Sequence, residues 1–240
     1  MIAGHRGARA VAPENTLISM KAAADAGATW IETDTQLCDD LIPVIIHDKS
    51  VRRCTNGSGS VRHKSLSELK QLDAGSWFAT EFADATIPTL VELLQACDEY
   101  GLSLNLEIKV HYEEEVELQV LKTIETIKDY GFDTNKLILS SFSYNAVKHC
   151  LKLWPEVRRG LIIEDWVPDI ERLDAKLNLY SIHLDHHLLN EKLAKEITDA
   201  GKVLQIWTMN DPQQVAKFTR WGVSTIISDN PGLLISAAKK

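Results

Sequence analysis

Cysteine is sparse in this 240-residue chain. Cys38, Cys54, Cys97 and Cys150 are scattered, and no two form a Cys-x-x-Cys pair, which argues against thiol metal sites and redox motifs. Their even number does not by itself establish disulfides in a chain this long. No apolar run approaches the roughly 18–20 residues of a membrane span, so no stable membrane association is expected. Nor is there a basic stripe. The 26 Lys and Arg stand against 34 Asp and Glu, a net charge of -8, which argues against nucleic acid as a main partner. Neither a basic region nor an apolar stretch precedes the first strand-like run at Ile2, so no signal peptide is expected and the cytoplasm is the expected compartment. Internal repeats and low-complexity segments are missing too, and the oligomeric state, a homodimer included, stays open.

What the chain does have is 45% hydrophobic residues, enough for one sizeable core, arranged in alternating strand-like and helix-like stretches. The pattern predicts strands at 2–5, 29–34, 43–47, 103–109, 136–141, 159–163, 179–184, 203–207 and 224–228. It predicts helices at 16–26, 65–72, 89–100, 113–130, 143–153, 168–176, 188–200, 212–221 and 231–238. Asn15 or Thr16 can cap the first helix and Gly27 can end it. Leu90, Leu93, Leu94 and Cys97 lie three or four apart, as one buried helical face requires. Repeated strand-helix units imply a parallel α/β sheet, and we expect a single (β/α)8 TIM barrel over 1–240, with its site at the strands' C-terminal ends. Nine candidate strands are one too many for the ring, so either 43–47 or 224–228 lies outside it. The link from Asp34 to Pro43 is too short for a helix and must return as extended chain. The Ser-, Gly-, Arg- and Thr-rich stretch 48–88 reads as an insertion after the third strand, over the catalytic face.

Four of the apolar runs end in charge: His5-Arg6-Gly7, Glu32-Thr-Asp34, His47-Asp48 and Glu107-Ile-Lys109. Ionisable groups at the ends of buried strands are costly unless paired, which points to one shared pocket. Glu32 and Asp34 are two apart and share a strand face, as do Glu107 and Lys109. Three carboxylates that close repel one another unless a cation sits among them, and an oxygen-only set favours Mg²⁺ or Ca²⁺. We therefore expect a divalent ion on Glu32, Asp34 and Glu107, with Arg6 and Lys109 turned toward a phosphate. His5 and His47 are the candidate acid-base pair. Trp207, and more weakly Phe142, are candidate apolar walls for a substrate. Trp77, Trp166 and Trp221 are expected to pack ordinarily. Of the six other histidines only His183, late in a strand, is worth watching. Metal, Arg and two His together describe phosphodiester chemistry.

With Pro13-Glu14-Asn15-Thr16, Trp207-Thr208-Met209-Asn210 and Ser228-Asp229-Asn230-Pro231 added, these clusters resemble, in order and spacing, the glycerophosphodiester phosphodiesterases. Leu72-Asp-Ala-Gly-Ser-Trp-Phe78 followed by Ile87-Pro-Thr-Leu90 looks like the family's small-insert, cytosolic bacterial branch. The resemblance implies a TIM barrel that hydrolyses deacylated phospholipids, such as glycerophosphocholine and glycerophosphoethanolamine, to sn-glycerol 3-phosphate and an alcohol. It implies acid-base roles for His5 and His47, metal ligation by Glu32, Asp34 and Glu107, and phosphate contacts from Arg6 and Lys109. By analogy with related phosphodiesterases, the glycerol 2-hydroxyl would attack phosphorus and water would open the cyclic phosphate. The alternatives are a lysophospholipase D or phospholipase C relative, and a non-catalytic phosphodiester-binding barrel. An apolar rim or basic patch would mark the first, and a missing His or carboxylate the second. Two departures stand out. Cys38-Asp39-Asp40-Leu41 replaces the family's usual Thr-x-Asp-Gly, so that turn is expected to be built differently, and Ser228 stands where Thr is usual.

Overall fold

The computed structural model describes residues 1–165 and 169–238. The expectations for Trp166 and for the start of a helix at 168 lie outside the described residues. In chain order the elements are β1 (Ile2–His5), α1 (Leu17–Asp25), β2 (Trp30–Leu37), β3 (Pro43–Ile45), α2 (Leu66–Lys70), α3 (Leu90–Tyr100), β4 (Ser103–Ile108), α4 (Val116–Tyr130) and β5 (Leu137–Ser141). They continue as α5 (Tyr144–Leu153), β6 (Arg159–Ile163), α6 (Ile170–Leu177), β7 (Ser181–Asp185), α7 (Glu191–Asp199), β8 (Val203–Trp207), α8 (Val215–Arg220), β9 (Thr225–Ser228) and α9 (Pro231–Ala238).

Eight strands pair in parallel, each with the next, and β9 returns to pair with β1, which closes a TIM barrel. The ninth strand is β3. It runs antiparallel to the C-terminal part of β2, with Thr35 opposite Ile45 and Leu37 opposite Pro43, so the 43–47 run is the one outside the ring. The extra length of β2 and the return of β3 form a hairpin that rises from the mouth and folds back, and it sets His47 down beside the end of β2. The Ile46 N–H donates to the Asp34 carbonyl at 3.1 Å. The segment 48–88 thus follows β3, the third strand in chain order, which stands outside the ring.

Helix ends follow local chemistry. The Thr16 hydroxyl caps α1, and Ser65/Glu68 and Thr89/Glu92 form capping boxes for α2 and α3. The apolar face of α3, Leu90, Leu93, Leu94 and Cys97, is fully buried against the barrel. A separate small core of Cys38, Val44, Ile46, Val51, Val61, Leu69, Ala74 and Ile87 lies under the 48–88 segment. Trp221 packs edge-on against Phe218, and Trp77, though 39% exposed on the insertion, packs edge-on against Phe78. All four cysteines are free and buried. No helix among the described residues is long and apolar enough to cross a membrane.

In the turn from β2 to β3, Leu41 takes the left-handed conformation, φ 59°, that a glycine adopts without strain. A non-glycine residue there stores about 1–2 kcal/mol, against roughly 0.5–1 kcal/mol of extra chain entropy that glycine loses on folding. Leu41→Gly is thus expected to stabilise the protein by about 0.5–1 kcal/mol, raising Tm by roughly 1–4 °C. Thermal melts check this, and a lower Tm for the variant would show that the half-buried Leu41 side chain outweighs its backbone.

Candidate active site

Strand register decides which side chains meet at the mouth. His5 on β1 lies opposite Glu32 on β2, Glu32 opposite Asn105 on β4, and Asp34 opposite Glu107. Side chains alternate along a strand, so Glu32 and Asp34 both turn into the barrel, as do Asn105 and Glu107. Glu32, Asp34 and Glu107 are buried, and a carboxylate oxygen from each lies within 4.8 Å of the others. Burial, then the charges of Asp34 and Glu107, push Glu32 well above the usual carboxylate range, and burial with Asp34 likewise raises Glu107. For Asp34 burial acts in the same direction but is outweighed by Arg6 and Lys109, which hold it ionised.

Asp34 Oδ1 has no hydrogen-bond partner, and Glu107 Oε1 meets only the Lys109 ammonium. Lys109 Nζ lies 2.7 Å from Glu107 Oε1 and 3.6 Å from Asp34 Oδ1, so one ammonium serves both oxygens. An unsatisfied oxygen in a cluster of buried carboxylates calls for a cation, and this all-oxygen set suits a hard divalent one. The Asn15 carboxamide steadies the cluster from outside, with Nδ2 donating to Asp34 Oδ2 at 2.8 Å.

Each candidate acid-base imidazole is backed by a carboxylate. His5 Nδ1 is 2.6 Å from Asp229 Oδ1, beyond β9, and its Nε2 faces the cluster, 3.8 Å from Glu32 Oε2. His47 Nδ1 is 2.7 Å from Asp48 Oδ1. A carboxylate only accepts, so each neutral ring carries its proton on Nδ1 and leaves Nε2 free to take another. Burial lowers both imidazoles below their ordinary value.

The His-Arg-Gly turn has its own logic. Arg6 is left-handed at φ 49° and Gly7 follows at φ 85°, where a Cβ would fall 2.3 Å from Ser19 Oγ. The Arg6 carbonyl accepts from the Ser19 hydroxyl at 2.8 Å, and Arg6 Nη1 donates to Glu14 Oε1 at 2.6 Å. On the far wall, Trp207 Nε1 donates to the His183 carbonyl at 3.2 Å, and the Trp207 ring meets Phe142 edge-on with centroids 5.4 Å apart. His183 itself is a buried, neutral part of the floor. Burial pushes it down to about 3, its Nε2 pairs with the Ser181 hydroxyl, and Gly160 makes room for the ring, since a Cβ there would lie 2.5 Å from Nε2.

These groups surround a cavity of about 450 Å³. Of the nine site residues expected from sequence, His5, Arg6, Glu32, His47, Glu107, Lys109, Phe142 and Trp207 line it, and Asp34 completes the carboxylate cluster. The sequence reading gave no role to Glu14, Asp48, Asp229 or Asn105. The first three lie inside clusters it quoted. Asn105 continues the same alternation as Glu107 and Lys109, a signal that was there to use. Its buried carboxamide has no protein partner at either atom.

A closed eight-stranded barrel with two carboxylate-backed imidazoles, two cations and three buried carboxylates at its C-terminal mouth defines a TIM-barrel phosphodiester hydrolase. Residues 5–233 match the model of the glycerophosphoryl diester phosphodiesterase family, and the chain belongs to that family. It is 33% identical to a glycerophosphodiester phosphodiesterase of Caldanaerobacter subterraneus subsp. tengcongensis, over 100% of this chain and 98% of that one. A phosphodiesterase of Oleispira antarctica, solved in complex with the product sn-glycerol-3-phosphate, superposes with a TM-score of 0.95 at 34% identity, over 100% of this chain and 97% of that one. The glycerophosphodiester phosphodiesterase of Thermotoga maritima superposes at 0.79 with 26% identity, over 98% and 96%.

Proposed function

We propose that the chain hydrolyses glycerophosphodiesters such as glycerophosphocholine and glycerophosphoethanolamine to sn-glycerol 3-phosphate and the free alcohol, with Mg²⁺ or Ca²⁺ held by Glu32, Asp34 and Glu107. The observation that carries the reading is the buried cluster of three carboxylates, facing a cavity that both carboxylate-backed imidazoles line. A bound cation would neutralise phosphate charge and lower the pKa of a hydroxyl beside it. Arg6 and Lys109 add fixed positive charge toward the phosphate. One imidazole takes the proton of the glycerol 2-hydroxyl as that oxygen attacks phosphorus. The other, entering in its doubly protonated form, gives its Nε2 proton to the departing alcohol oxygen as that oxygen's bond to phosphorus breaks. With roles reversed, the pair then activates a water that opens the cyclic phosphate to sn-glycerol 3-phosphate.

The glycerol end sits deep, where the unpartnered Asn105 carboxamide is left to hydrogen-bond its hydroxyls and Trp207 flanks its carbons. The alcohol points outward, past the segment 48–88, which narrows access to the mouth. A site built to hydrogen-bond a hydroxyl rejects a ligand that lacks one by about 10⁴–10⁵, whereas differences read by apolar contact are worth roughly 10–200-fold. The kcat/KM values for glycerophosphocholine and glycerophosphoethanolamine are therefore expected within about tenfold of each other, and that for a lysophospholipid lower by about 10² or more. A lysophospholipid proving the best of the three would overturn the pocket assignment and favour a lysophospholipase D.

A further inference from the structure

We propose that Arg53, on the segment that follows β3, is a positioning residue that sets two groups of the site at once: His47 through Asp48, and Arg6 through Glu14. The proposal rests on the roles given above to those two groups. Arg53 Nη1 donates to Glu14 Oε2 at 2.9 Å and Nε to Asp48 Oδ2 at 2.7 Å. Nη2 does more. It donates to Glu14 Oε1 at 2.8 Å and to Asp48 Oδ1 at 2.9 Å. Those two oxygens are the ones that hold the site, because Glu14 Oε1 accepts from Arg6 Nη1 at 2.6 Å and Asp48 Oδ1 pairs with His47 Nδ1 at 2.7 Å. One nitrogen thus joins a continuous path from Arg6 through Glu14, Arg53 and Asp48 to His47.

The chemistry of the side chain explains why it stands there. A guanidinium presents donors in a rigid fork, so it grips two carboxylates and fixes the angle between them, which a lysine ammonium cannot do. Without it, Glu14 and Asp48 would face each other as like charges. Burial raises Glu14, but the hydrogen bonds of Arg53 and the charge of Arg6 outweigh it and hold the carboxyl at about 2. Hydrogen bonds from Arg53 lead the causes that keep Asp48 below the usual carboxylate range. The Arg53 side chain is 42% exposed, so its ion pairs add little to stability, and geometry is what it supplies. Its own backbone is anchored on both sides. Val51 is buried in the small core, and the Thr55 hydroxyl donates to the Val51 carbonyl at 2.7 Å.

The test compares Arg53→Ala, Arg53→Lys and Asp48→Asn in the full chain. Arg53→Ala is expected to lose about 10²-fold in kcat and to raise KM for glycerophosphocholine, because both a proton-transfer group and a phosphate group lose their setting. Asp48→Asn should reproduce the kcat loss with KM near wild type. Arg53→Lys, which keeps the charge and should keep the melting temperature, is expected to recover little of either, whereas added guanidinium ion should partly restore Arg53→Ala. A second readout needs no substrate and so stands apart from the proposed reaction. Nitrogen-15 NMR of the His47 ring should show the proton fixed on Nδ1 in the wild type and a mixture of tautomers in Arg53→Ala. A Lys variant within about threefold of wild-type kcat/KM, or an unchanged His47 tautomer in Arg53→Ala, would overturn the proposal.

Discussion

Exhaustive removal of divalent cations is expected to abolish turnover, and Mg²⁺ or Ca²⁺ to restore it. The reason lies in the cluster itself. With no cation, burial raises Glu32 and Glu107 toward protonation and leaves Asp34 between Arg6 Nε at 3.3 Å and Lys109 Nζ at 3.6 Å, with Lys109 also 2.7 Å from Glu107. That arrangement keeps the fold tolerable but leaves the phosphate without its main neutralising charge. A readout independent of activity is available. A ligand that binds only the folded state at about a hundredfold excess over its Kd stabilises by about 2.7 kcal/mol, so Tm should rise with added Mg²⁺ or Ca²⁺. In Glu107→Gln that rise should be largely lost. Full activity after complete chelation would remove Glu32, Asp34 and Glu107 from the role of metal ligands.

His5→Ala and His47→Ala are each expected to lower kcat by about 10²–10⁴-fold, the usual contribution of a general acid or base. The double variant should lose much less than the product of the two, since groups that act in one proton relay are not additive. Folding should be largely kept. Asp229 still has the Asn210 carboxamide, 2.8 Å from its Oδ2, and Asp48 still has Arg53. Either variant keeping near-normal kcat while still binding the cation would exclude that histidine from the chemistry.

Much of the fold was legible because its signals are local. The run 203–207 appears in the structure with the boundaries expected of it, as does 159–163, and the caps at Thr16, Ser65 and Thr89 follow from side chains that reach only three residues ahead. The place of β3 was not legible. A three-residue apolar strand reads alike whether it joins the ring or folds back as a hairpin, and only the pairing of Thr35 with Ile45 tells the two apart. Leu41 shows another limit. Sequence predicts that a leucine avoids the left-handed region, but the hairpin around it imposes that conformation. The site divides in the same way. Residues at strand ends carry a period of two, so Glu32 with Asp34 and Glu107 with Lys109 could be paired from the sequence. Asp229 meets His5 across 224 positions, and Arg53 meets Glu14 across 39; no periodicity links such partners, only closure of the barrel and the fold of the segment after β3.

The central claim is that this site cleaves the alcohol side of a glycerophosphodiester. Phosphorus NMR of glycerophosphocholine incubated with the purified protein and Mg²⁺ or Ca²⁺ tests it most directly. The diester signal is expected to give way to that of sn-glycerol 3-phosphate while choline is freed. Phosphocholine and glycerol as the products, or an unchanged diester with either cation, would contradict it.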